Sequence, residues 1–306
     1  MMVQRGSPET TSEAQAGQPV ALVVDLDETL SHTDTMHEAL LRLLVADPLA
    51  VAGLVGPLLR GKPAFKRHLA DRMVVSPETL AINPAVLDVV EEAKQAGREV
   101  VLVSASDQRQ VAAVAEHLGV FDRAIGTGAP EADGHNLGGS RKAAFLTAQF
   151  GAGRFDYIGD CATDLPVWQA ARTAYAVAPS RGLVSRAKAG NVDLVGLGTR
   201  SRGAGWRPYA KALRPHQWLK NLLVFLPVLA AQDMGGIGLA FMAFVLFSLT
   251  ASSVYIINDL VDLPSDRAHP RKRARPFASG QLALRHGLWL TPFLLVAGFG
   301  LGGVFQ

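Results

Sequence analysis

Two long stretches without charge constrain the fold of this chain more than any other feature. Residues 235–257 and 286–305 span about 23 and 20 positions with no Asp, Glu, Lys or Arg. About 20 apolar residues are enough to cross the hydrocarbon core of a bilayer. A shorter apolar stretch, 219–231, precedes them and contains Pro227. A buried helix of a soluble protein is the alternative, but such length without charge argues against it. We therefore predict all-α transmembrane helices over residues 211–306.

Basic residues predict the orientation of these helices. Before and at the start of the short stretch 219–231 lie Arg202, Arg207, Lys211, Arg214 and Lys220. Six cations between Arg267 and Arg285 follow the stretch 235–257, whereas residues 232–234 carry none. Because Lys and Arg mark cytoplasmic loops, we expect a multi-pass protein of the inner (cytoplasmic) membrane, with its N-terminal domain in the cytoplasm.

The rest of the chain has a different composition. Residues 1–18 lack an apolar core, which predicts a disordered tail and excludes an export signal. Residues 19–196 mix charged and apolar side chains as a globular domain does. Residues 197–210 are rich in Gly and Arg and predict a linker. The single cysteine, Cys161, excludes an internal disulfide and suits a reducing cytosol.

Apolar strands alternate with amphipathic helices within residues 19–196. The predicted strands are 19–26, 98–104, 123–128, 155–160 and 173–179, and the predicted helices between them include 107–118 and 141–150. This alternation indicates an α/β fold, a Rossmann-like parallel sheet with helices on both faces. Residues 32–82, between the first two strands, predict a small helical cap over the carboxyl edge of the sheet.

Four carboxylates follow strands that should end at this edge. Asp25 and Asp27 end the first strand, where residues two apart point to the same side. Asp160 and Asp164 follow a later strand, and ligands of open α/β sheets bind beyond the carboxyl ends of the strands. Four clustered carboxylates repel one another unless a cation lies between them, and oxygen ligands favour Mg²⁺. We therefore predict that all four bind Mg²⁺.

The same residues suit phosphoryl transfer, which needs an in-line nucleophile and positive charge on the phosphate oxygens. Asp25 would attack phosphorus and form an aspartyl-phosphate. Asp27 would protonate the leaving oxygen and later activate water. Ser104 and Lys142 would hold the phosphate. The alternatives are that Ser104 only caps the following helix, with Ser106 in its role, and that Lys142 is a solvated surface lysine.

These residues resemble the haloacid dehalogenase superfamily of phosphatases. Its motifs are DxDx(T/V), a Ser or Thr after a strand, a Lys, and GDxxxD; here they are residues 25–29, Ser104, Lys142 and residues 159–164. The match covers residue 20 to about 195, and a cap after the first motif resembles the phosphoserine phosphatase branch. The resemblance implies a Mg²⁺-dependent phosphomonoester hydrolase acting on a phosphorylated small molecule or a lipid-linked sugar phosphate.

A second acidic motif directly follows the apolar stretch 235–257. Asn258 is followed by Asp259, Asp262 and Asp266, whose spacing predicts one helical face. Carboxylates at the mouth of a membrane bundle are costly unless they bind metal, and Mg²⁺ bridging a pyrophosphate is a natural use. The cations that follow would bind phosphate or only set topology. Pro264 is expected to break the helix and to separate Asp266 from the others.

This motif resembles NDxxDxxxD of the UbiA family of intramembrane prenyltransferases. The flanking segments RPHQWLKNLLVFLP and DRAHPRKRARPFASG resemble its decaprenyl-phosphate phosphoribosyltransferase branch. The resemblance implies transfer of phosphoribose from phosphoribosyl pyrophosphate to polyprenyl phosphate, in cell wall biosynthesis. The implied metal and pyrophosphate ligands are Asn258, Asp259, Asp262 and Asp266. The implied phosphate contacts are Lys220, Asn221, Lys272 and Arg275.

The chain departs from that family in length. The family has about nine helices and a second acidic motif, whereas about three helices and no second motif are found here. We therefore expect a fragment of a longer product, a partial UbiA-type bundle that does not catalyse transfer alone.

Three functions remain open from the sequence. The phosphatase acts on the product of the transferase or on a related sugar or lipid phosphate. Alternatively, the N-terminal domain is catalytically silent and regulates the membrane region, or it hydrolyses a soluble metabolite while the membrane region serves as an anchor. No nucleic-acid partner is expected.

Overall fold

An α/β unit and a helical C-terminal region make up the part of the chain that the computed structural model describes, residues 19–132, 136–198, 205–232 and 234–303. The predicted tail, 1–18, and residues 199–204 of the predicted linker lie outside the described residues. The predicted fold class is confirmed: a parallel sheet with helices is followed by an all-helical region.

The sheet has six parallel strands in the order β3-β2-β1-β4-β5-β6. They are β1 (Ala21–Val24), β2 (Val100–Asp107), β3 (Arg123–Thr127), β4 (Phe155–Gly159), β5 (Thr173–Val177) and β6 (Leu194–Leu197). The first five were predicted. The sixth was not, because its four residues include a glycine and lead directly into the segment assigned to the linker.

Helices cover both faces of the sheet. The cap contains α1 (Thr35–Ala46), α2 (Pro48–Ala52), α3 (Val55–Leu59) and α4 (Lys62–Ala70), and the other helices of the unit are α5 (Pro84–Gln95), α6 (Gln108–Leu118), α7 (Ser140–Phe150), α8 (Leu165–Ala170) and α9 (Arg181–Ala189). Ser31 and Ile82 form an antiparallel bridge where the chain enters and leaves the cap.

Alternation along the central strand explains the two layers of helices. Leu22 and Val24 are buried with residues of α5 and α6 on one face, whereas Val23 is buried with Leu146 of α7 and Trp168 of α8 on the other. Because successive side chains of a strand point to opposite faces, a strand that is apolar throughout needs cover on both sides.

The C-terminal region contains α10 (Arg207–Leu213), α11 (Leu226–Ala230), α12 (Ile237–Val261), α13 (Leu263–Ala268) and α14 (Leu284–Gly303). The apolar stretch 219–231 does not form the single membrane helix that was predicted. It is split between a 3₁₀-helix, Pro215–Phe225, and the five residues of α11, in whose first turn Pro227 lies. Proline lacks the N–H that would continue the hydrogen bonds of the preceding turn.

Among the described residues, one helix, Met234–Val261, is long and apolar enough to cross a membrane by length and composition. It packs against α14, and a Cβ at Gly287 would lie 2.9 Å from a methyl carbon of Leu260. The missing side chain thus allows the close approach of two helices, as small residues do in membrane bundles.

A buried carboxylate lies within the sheet itself. Asp156 in β4 is 0% exposed and accepts hydrogen bonds from Arg172 Nε (2.9 Å), Arg172 Nη2 (2.6 Å) and the guanidinium of Arg98. Burial alone would raise the pKa of Asp156, but the bonds from the two arginines outweigh it and hold the pKa below its usual range. The charge is therefore stabilised by ion pairing in the native state.

We expect Asp156→Asn in the full chain to lower the free energy of unfolding by about 1.5–3 kcal/mol, because two guanidinium groups lose a charged acceptor. Since the folded pKa is depressed, the stabilisation is fully present above the ordinary carboxyl pKa and is lost as the pH falls through the lower folded value. The difference between wild type and variant should therefore shrink in acid. Denaturant unfolding followed by circular dichroism at several pH values measures it.

Lys94→Gln is the matched control, since it breaks an ion pair with Asp122 in which both side chains are more than a third exposed. Its cost should stay below about 1 kcal/mol. Equal losses in the two variants would contradict the role assigned to Asp156.

Candidate active site

The carboxyl ends of β1, β2 and β4 bring the predicted catalytic residues to one edge. Asp25 directly follows β1, and its N–H donates to the carbonyl of Ile158 in β4 (3.0 Å). The chain then reverses through Glu28, whose φ of 58° lies in the left-handed region that non-glycine residues seldom adopt. After this turn, the chain continues from Asp27 into the loop that enters the cap.

A buried chain of hydrogen bonds connects the predicted nucleophile with the acidic loop after β4. Lys142 Nζ donates to Asp25 Oδ1 (2.9 Å) and to the Tyr157 hydroxyl (2.9 Å). The Tyr157 hydroxyl in turn donates to Asp164 Oδ1 (2.8 Å). Lys142 is 2% exposed, so the alternative of a solvated surface lysine is wrong. Tyr157 was not predicted, although it lies two residues before Gly159 in the same strand.

Burial sets the electrostatics of this chain. It raises the pKa of Asp25 to about 6, against the lowering effect of the Lys142 charge, and the nearby Asp164 adds to the rise. Burial would lower the pKa of Lys142, but Asp25 and Asp164 outweigh it and raise that pKa. The lysine is therefore held as a cation beside two carboxyl groups.

The loop after β4 carries the remaining acids. Asp164 Oδ2 accepts from the N–H groups of Asp160 (3.1 Å) and Cys161 (3.2 Å), and one ligand atom from each of these three residues lies within 4.8 Å of the others. Carboxylate oxygens such as those of Asp160 and Asp164 are ligands that a hard cation such as Mg²⁺ prefers, and the metal role of Asp25 stays a prediction. Burial raises the pKa of Cys161 to about 12, so its neutral thiol is a poor ligand.

Asp27 has different partners. Its Oδ1 accepts from the N–H (2.8 Å) and hydroxyl (2.7 Å) of Thr35, and its Oδ2 accepts from the hydroxyl of Ser106. Burial, together with the charge of Asp34, raises the pKa of Asp27. A raised pKa suits the predicted acid and base role. The metal role of its carboxylate stays a prediction.

Ser104 and Ser106 lie together at the end of β2. Ser104 is 1% exposed, and its Oγ accepts from the N–H of Ser106 (3.1 Å). Asp107, not Ser104, caps α6, because its side chain accepts from the N–H of Arg109. Capping by Ser104 is therefore wrong. Its phosphate-binding role stays a prediction, and the contact of Ser106 with Asp27 was not foreseen.

The cap closes over this edge. Lys66 of α4 donates to the carbonyl of Ala105 at the end of β2 (2.7 Å). Asp34 caps α1 by accepting from the N–H groups of Met36 and His37, and it also lies 3.1 Å from the His37 ring. The cavity left between cap and sheet, beside Thr35, Lys66 and Ser106, measures about 20 Å³, which is room for about one water molecule.

The second acidic motif differs from its predicted geometry. The α-helix ends at Val261, Asn258 and Asp262 are exposed, and Asp259 and Asp266 are buried. Arg275 Nη1 lies 3.2 Å from Asp259 Oδ1 and 2.6 Å from Asp266 Oδ2. The helix is interrupted at Asp262, so the shared helical face was wrong, and because Arg275 contacts both Asp259 and Asp266, the separation of Asp266 by Pro264 was also wrong.

The weaker phosphate candidates divide into two groups. Arg275 binds both buried aspartates, and Lys272 Nζ lies 3.8 Å from Asp266. Asn221 instead donates to Ser248 Oγ of α12 (3.1 Å), and Lys220 is exposed. Arg214, which was not predicted as a site residue, also pairs with Asp259. Its φ of 52° is the left-handed conformation from which the 3₁₀-helix begins.

Arg267, next to Asp266, connects the two regions. Its Nη1 donates to both carboxylate oxygens of Glu38 (3.0 Å each) and to the carbonyl of Thr79 (2.7 Å), and its Nη2 donates to Thr33 Oγ1 (3.1 Å). Both charged side chains are buried, at 9% and 1% exposure. The end of α13 therefore packs on α1 and on the segments that enter and leave the cap.

We expect Arg267→Met to destabilise the full chain by about 3–5 kcal/mol, because it leaves Glu38 buried with less compensation. Adding Glu38→Gln should recover part of that loss, since the unpaired charge is removed. Thermal and denaturant unfolding in detergent measure both effects. Arg285→Met, which breaks a pair with Glu28 in which the arginine is 44% exposed, is the control and should cost below about 1 kcal/mol. No recovery in the double variant would contradict the pairing.

Gly159 is required by close packing in the acidic loop. A Cβ at this position would lie 2.7 Å from Asp164 Oδ2 and 2.8 Å from Tyr157 Cε1, whereas a Cβ at Gly196 in β6 would meet nothing within 4 Å. We therefore expect Gly159→Ala to cost about 1–3 kcal/mol of unfolding free energy and Gly196→Ala to stay within about 0.5 kcal/mol. Equal effects in denaturant unfolding would refute the close contact.

Two family models match separate parts of the chain. Residues 38–169 match the model described as haloacid dehalogenase-like hydrolase, and residues 222–306 match that of the UbiA prenyltransferase family. Asp25 and Asp27 precede the first matched range.

Curated relatives match different lengths of the chain. Uncharacterized protein y4nM of Sinorhizobium fredii is 35% identical over 282 residues, 91% of this chain and 54% of that protein. Nodulation protein NoeC of Azorhizobium caulinodans is 46% identical over 93 residues, 29% and 30% of the two chains. Decaprenyl-phosphate phosphoribosyltransferase of Mycobacterium tuberculosis is 50% identical over 78 residues, 23% and 26%. The chain thus spans about half the length of the first relative and less of the others.

Solved structures are similar to part of the chain, with TM-scores below 0.5. A protein of unknown function from Bordetella pertussis Tohama I has a TM-score of 0.44 at 20% identity, covering 58% of this chain and 98% of that one. A phospho-aspartyl intermediate analogue of phosphoserine phosphatase has a TM-score of 0.38 at 14% identity, covering 58% and 92%. The fold itself rests on the sheet order given above. By these matches, residues 38–169 are similar to the haloacid dehalogenase-like hydrolases, and residues 222–306 are similar to the UbiA prenyltransferase family.

Proposed function

We propose that the α/β unit hydrolyses phosphomonoesters with Mg²⁺ and that Asp25 is the nucleophile. The observation that carries the proposal is the buried pair of Asp25 and Lys142, 2.9 Å apart, beside the acidic loop of Asp160 and Asp164. A charged lysine next to a carboxylate at the carboxyl edge of the sheet suits the binding of a phosphate dianion. When bound, Mg²⁺ supplies positive charge that offsets the phosphate oxygens.

Each residue has a defined task in the proposed reaction. An Asp25 oxygen attacks phosphorus, and the bond to the leaving oxygen breaks as that oxygen takes a proton from Asp27. Asp27 then removes a proton from water, whose oxygen attacks phosphorus; the acyl-phosphate bond breaks and Asp25 is regenerated. Thr35 and Ser106 hold Asp27 in place, while Lys142 and Ser104 bind phosphate oxygens.

We propose a related use of phosphate for the C-terminal region. Buried Asp259 and Asp266, bridged by Arg275, would bind the Mg²⁺ pyrophosphate of a donor, with Lys272 alongside and Asn258, Asp262, Lys220 and Asn221 as further candidates. By similarity to the mycobacterial relative, the protein would transfer phosphoribose from phosphoribosyl pyrophosphate to polyprenyl phosphate for cell wall biosynthesis. We accordingly propose a multi-pass protein of the inner membrane, with the α/β unit in the cytoplasm.

The contact of Arg267 with Glu38 supports a second candidate function. It joins the end of the acidic motif of the C-terminal region to α1, whose first residue, Thr35, bonds Asp27, so a catalytically silent α/β unit would still be able to regulate the transferase. The substrate of an active unit would be the product of the transferase, a related lipid-linked sugar phosphate or a soluble metabolite such as phosphoserine.

Substitution of the two aspartates tests the reaction. Asp25→Asn should lower phosphate release by at least about 1,000-fold, because the nucleophile is lost. Asp27→Asn with p-nitrophenyl phosphate should release about one equivalent of p-nitrophenol and then stop, because a good leaving group needs no acid whereas water needs the base. Asp193→Asn, at an exposed position, is the control with unchanged turnover.

The assay uses the full chain with Mg²⁺ over phosphoserine, sugar phosphates and a polyprenyl phosphoribosyl phosphate. Turnover that survives in Asp25→Asn would reject the nucleophile. A correctly folded chain that binds a phosphate analogue but hydrolyses none of these esters would favour the regulatory function.

A further inference from the structure

An apolar segment of the cap is exposed in a way that a soluble surface rarely is. Residues 48–59 (PLAVAGLVGPLL) include no polar side chain. Leu49 and Leu59 are each 84% exposed, and Val55 and Leu58 are 57% and 55% exposed. We call the exposed apolar side chains of residues 44–59 the cap patch. Contiguous apolar patches of this kind mark surfaces that bind a protein or a membrane.

The cap patch continues the surface of the helix that is long enough to cross a membrane. Leu41 of α1, which leads into the patch, is buried in one cluster with Leu260 of α12. Val45 of the patch lines a cavity of about 240 Å³ together with Val261, the last residue of α12. Exposed apolar side chains of α12 therefore lie close to those of the cap.

Length and charge indicate how the cap patch would meet a bilayer. α2 and α3 have five residues each, far too few to span the hydrocarbon core. Exposed Arg60 and Lys62 directly follow the segment. A short apolar face with cations at its margin is typical of helices that lie in the headgroup region, and the cytoplasmic leaflet carries the negative charge that attracts such cations.

We propose that the cap patch lies in the headgroup region of the cytoplasmic leaflet, so that the cap contacts acidic phospholipid beside the end of α12. The inference rests on the proposed membrane position of α12. It makes the cap of the hydrolase a peripheral membrane element and sets the catalytic edge at the membrane surface.

Fluorescence quenching in vesicles tests the proposal with the full chain. In a Cys161→Ser background, single cysteines replace Leu49 or Leu59 in the cap patch, Phe247 on the exposed side of α12, or exposed Ala148 on α7. Each variant is labelled with an environment-sensitive fluorophore and reconstituted in phosphatidylcholine and phosphatidylglycerol. A doxyl-labelled phospholipid quenches from the bilayer, and iodide quenches from water. Circular dichroism checks the fold of each variant.

Labels at positions 49, 59 and 247 should be quenched by the doxyl lipid, and their iodide quenching constants should be at least about fivefold lower than at position 148. Lipid quenching at 247 with open access of iodide to 49 and 59 would overturn the inference and leave the membrane position of α12 intact. A label at 247 that the lipid does not quench would overturn that position as well.

Two further outcomes are decided by the same preparations. Protection of 49 and 59 from both quenchers, growing with the protein-to-lipid ratio, would mean that a second copy covers the cap patch, and would overturn the lipid contact. If the cysteine variants misfold, hydrogen exchange of residues 44–59 in the unsubstituted chain replaces them. Exchange should slow in vesicles relative to a short-chain detergent, and equal rates would overturn the proposal.

Discussion

The α/β unit depends on the ion pair and hydrogen bonds made by the buried ammonium group of Lys142. A buried cation is costly unless carboxylates and hydrogen bonds compensate it, and here Asp25 and the Tyr157 hydroxyl surround it while Asp164 lies one hydrogen bond further. The same burial raises the pKa of Asp25 to about 6 and leaves the lysine charged.

The cap has more than one physical task. Thr35, the first residue of α1, donates a hydrogen bond to Asp27, and Glu38 of α1 accepts hydrogen bonds from Arg267 of the C-terminal region. The short helices α2 and α3 present an apolar surface. Movement of the cap would therefore disturb Asp27 and the end of α13 at once. This coupling follows from one buried guanidinium that bonds a carboxylate, a hydroxyl and a carbonyl.

Local motifs identified some site residues but not their partners. Asp25, Asp160 and Asp164 were recognisable because each follows an apolar strand, and parallel strands end at the same edge. Tyr157 and Thr35 were not recognised, and Ser106 was named only as an alternative to Ser104, because each contacts a residue from another part of the chain. In the second motif, spacing alone predicted Asp262 beside Asp259. In the structure α12 ends before Asp262, which is exposed, and Asp266 pairs with Arg275.

From the sequence alone follow the α/β alternation, the first five strands, the place of the cap and the apolar length of α12, because each depends on periodicity or composition over a short window. Only the tertiary structure decided that Lys142 is buried against Asp25, that residues 219–231 do not form one helix, and that Arg267 is inserted beside Glu38. Those outcomes depend on pairs of residues far apart in the chain, up to 229 positions for Arg267 and Glu38, and no local pattern encodes which distant charge will compensate a buried one.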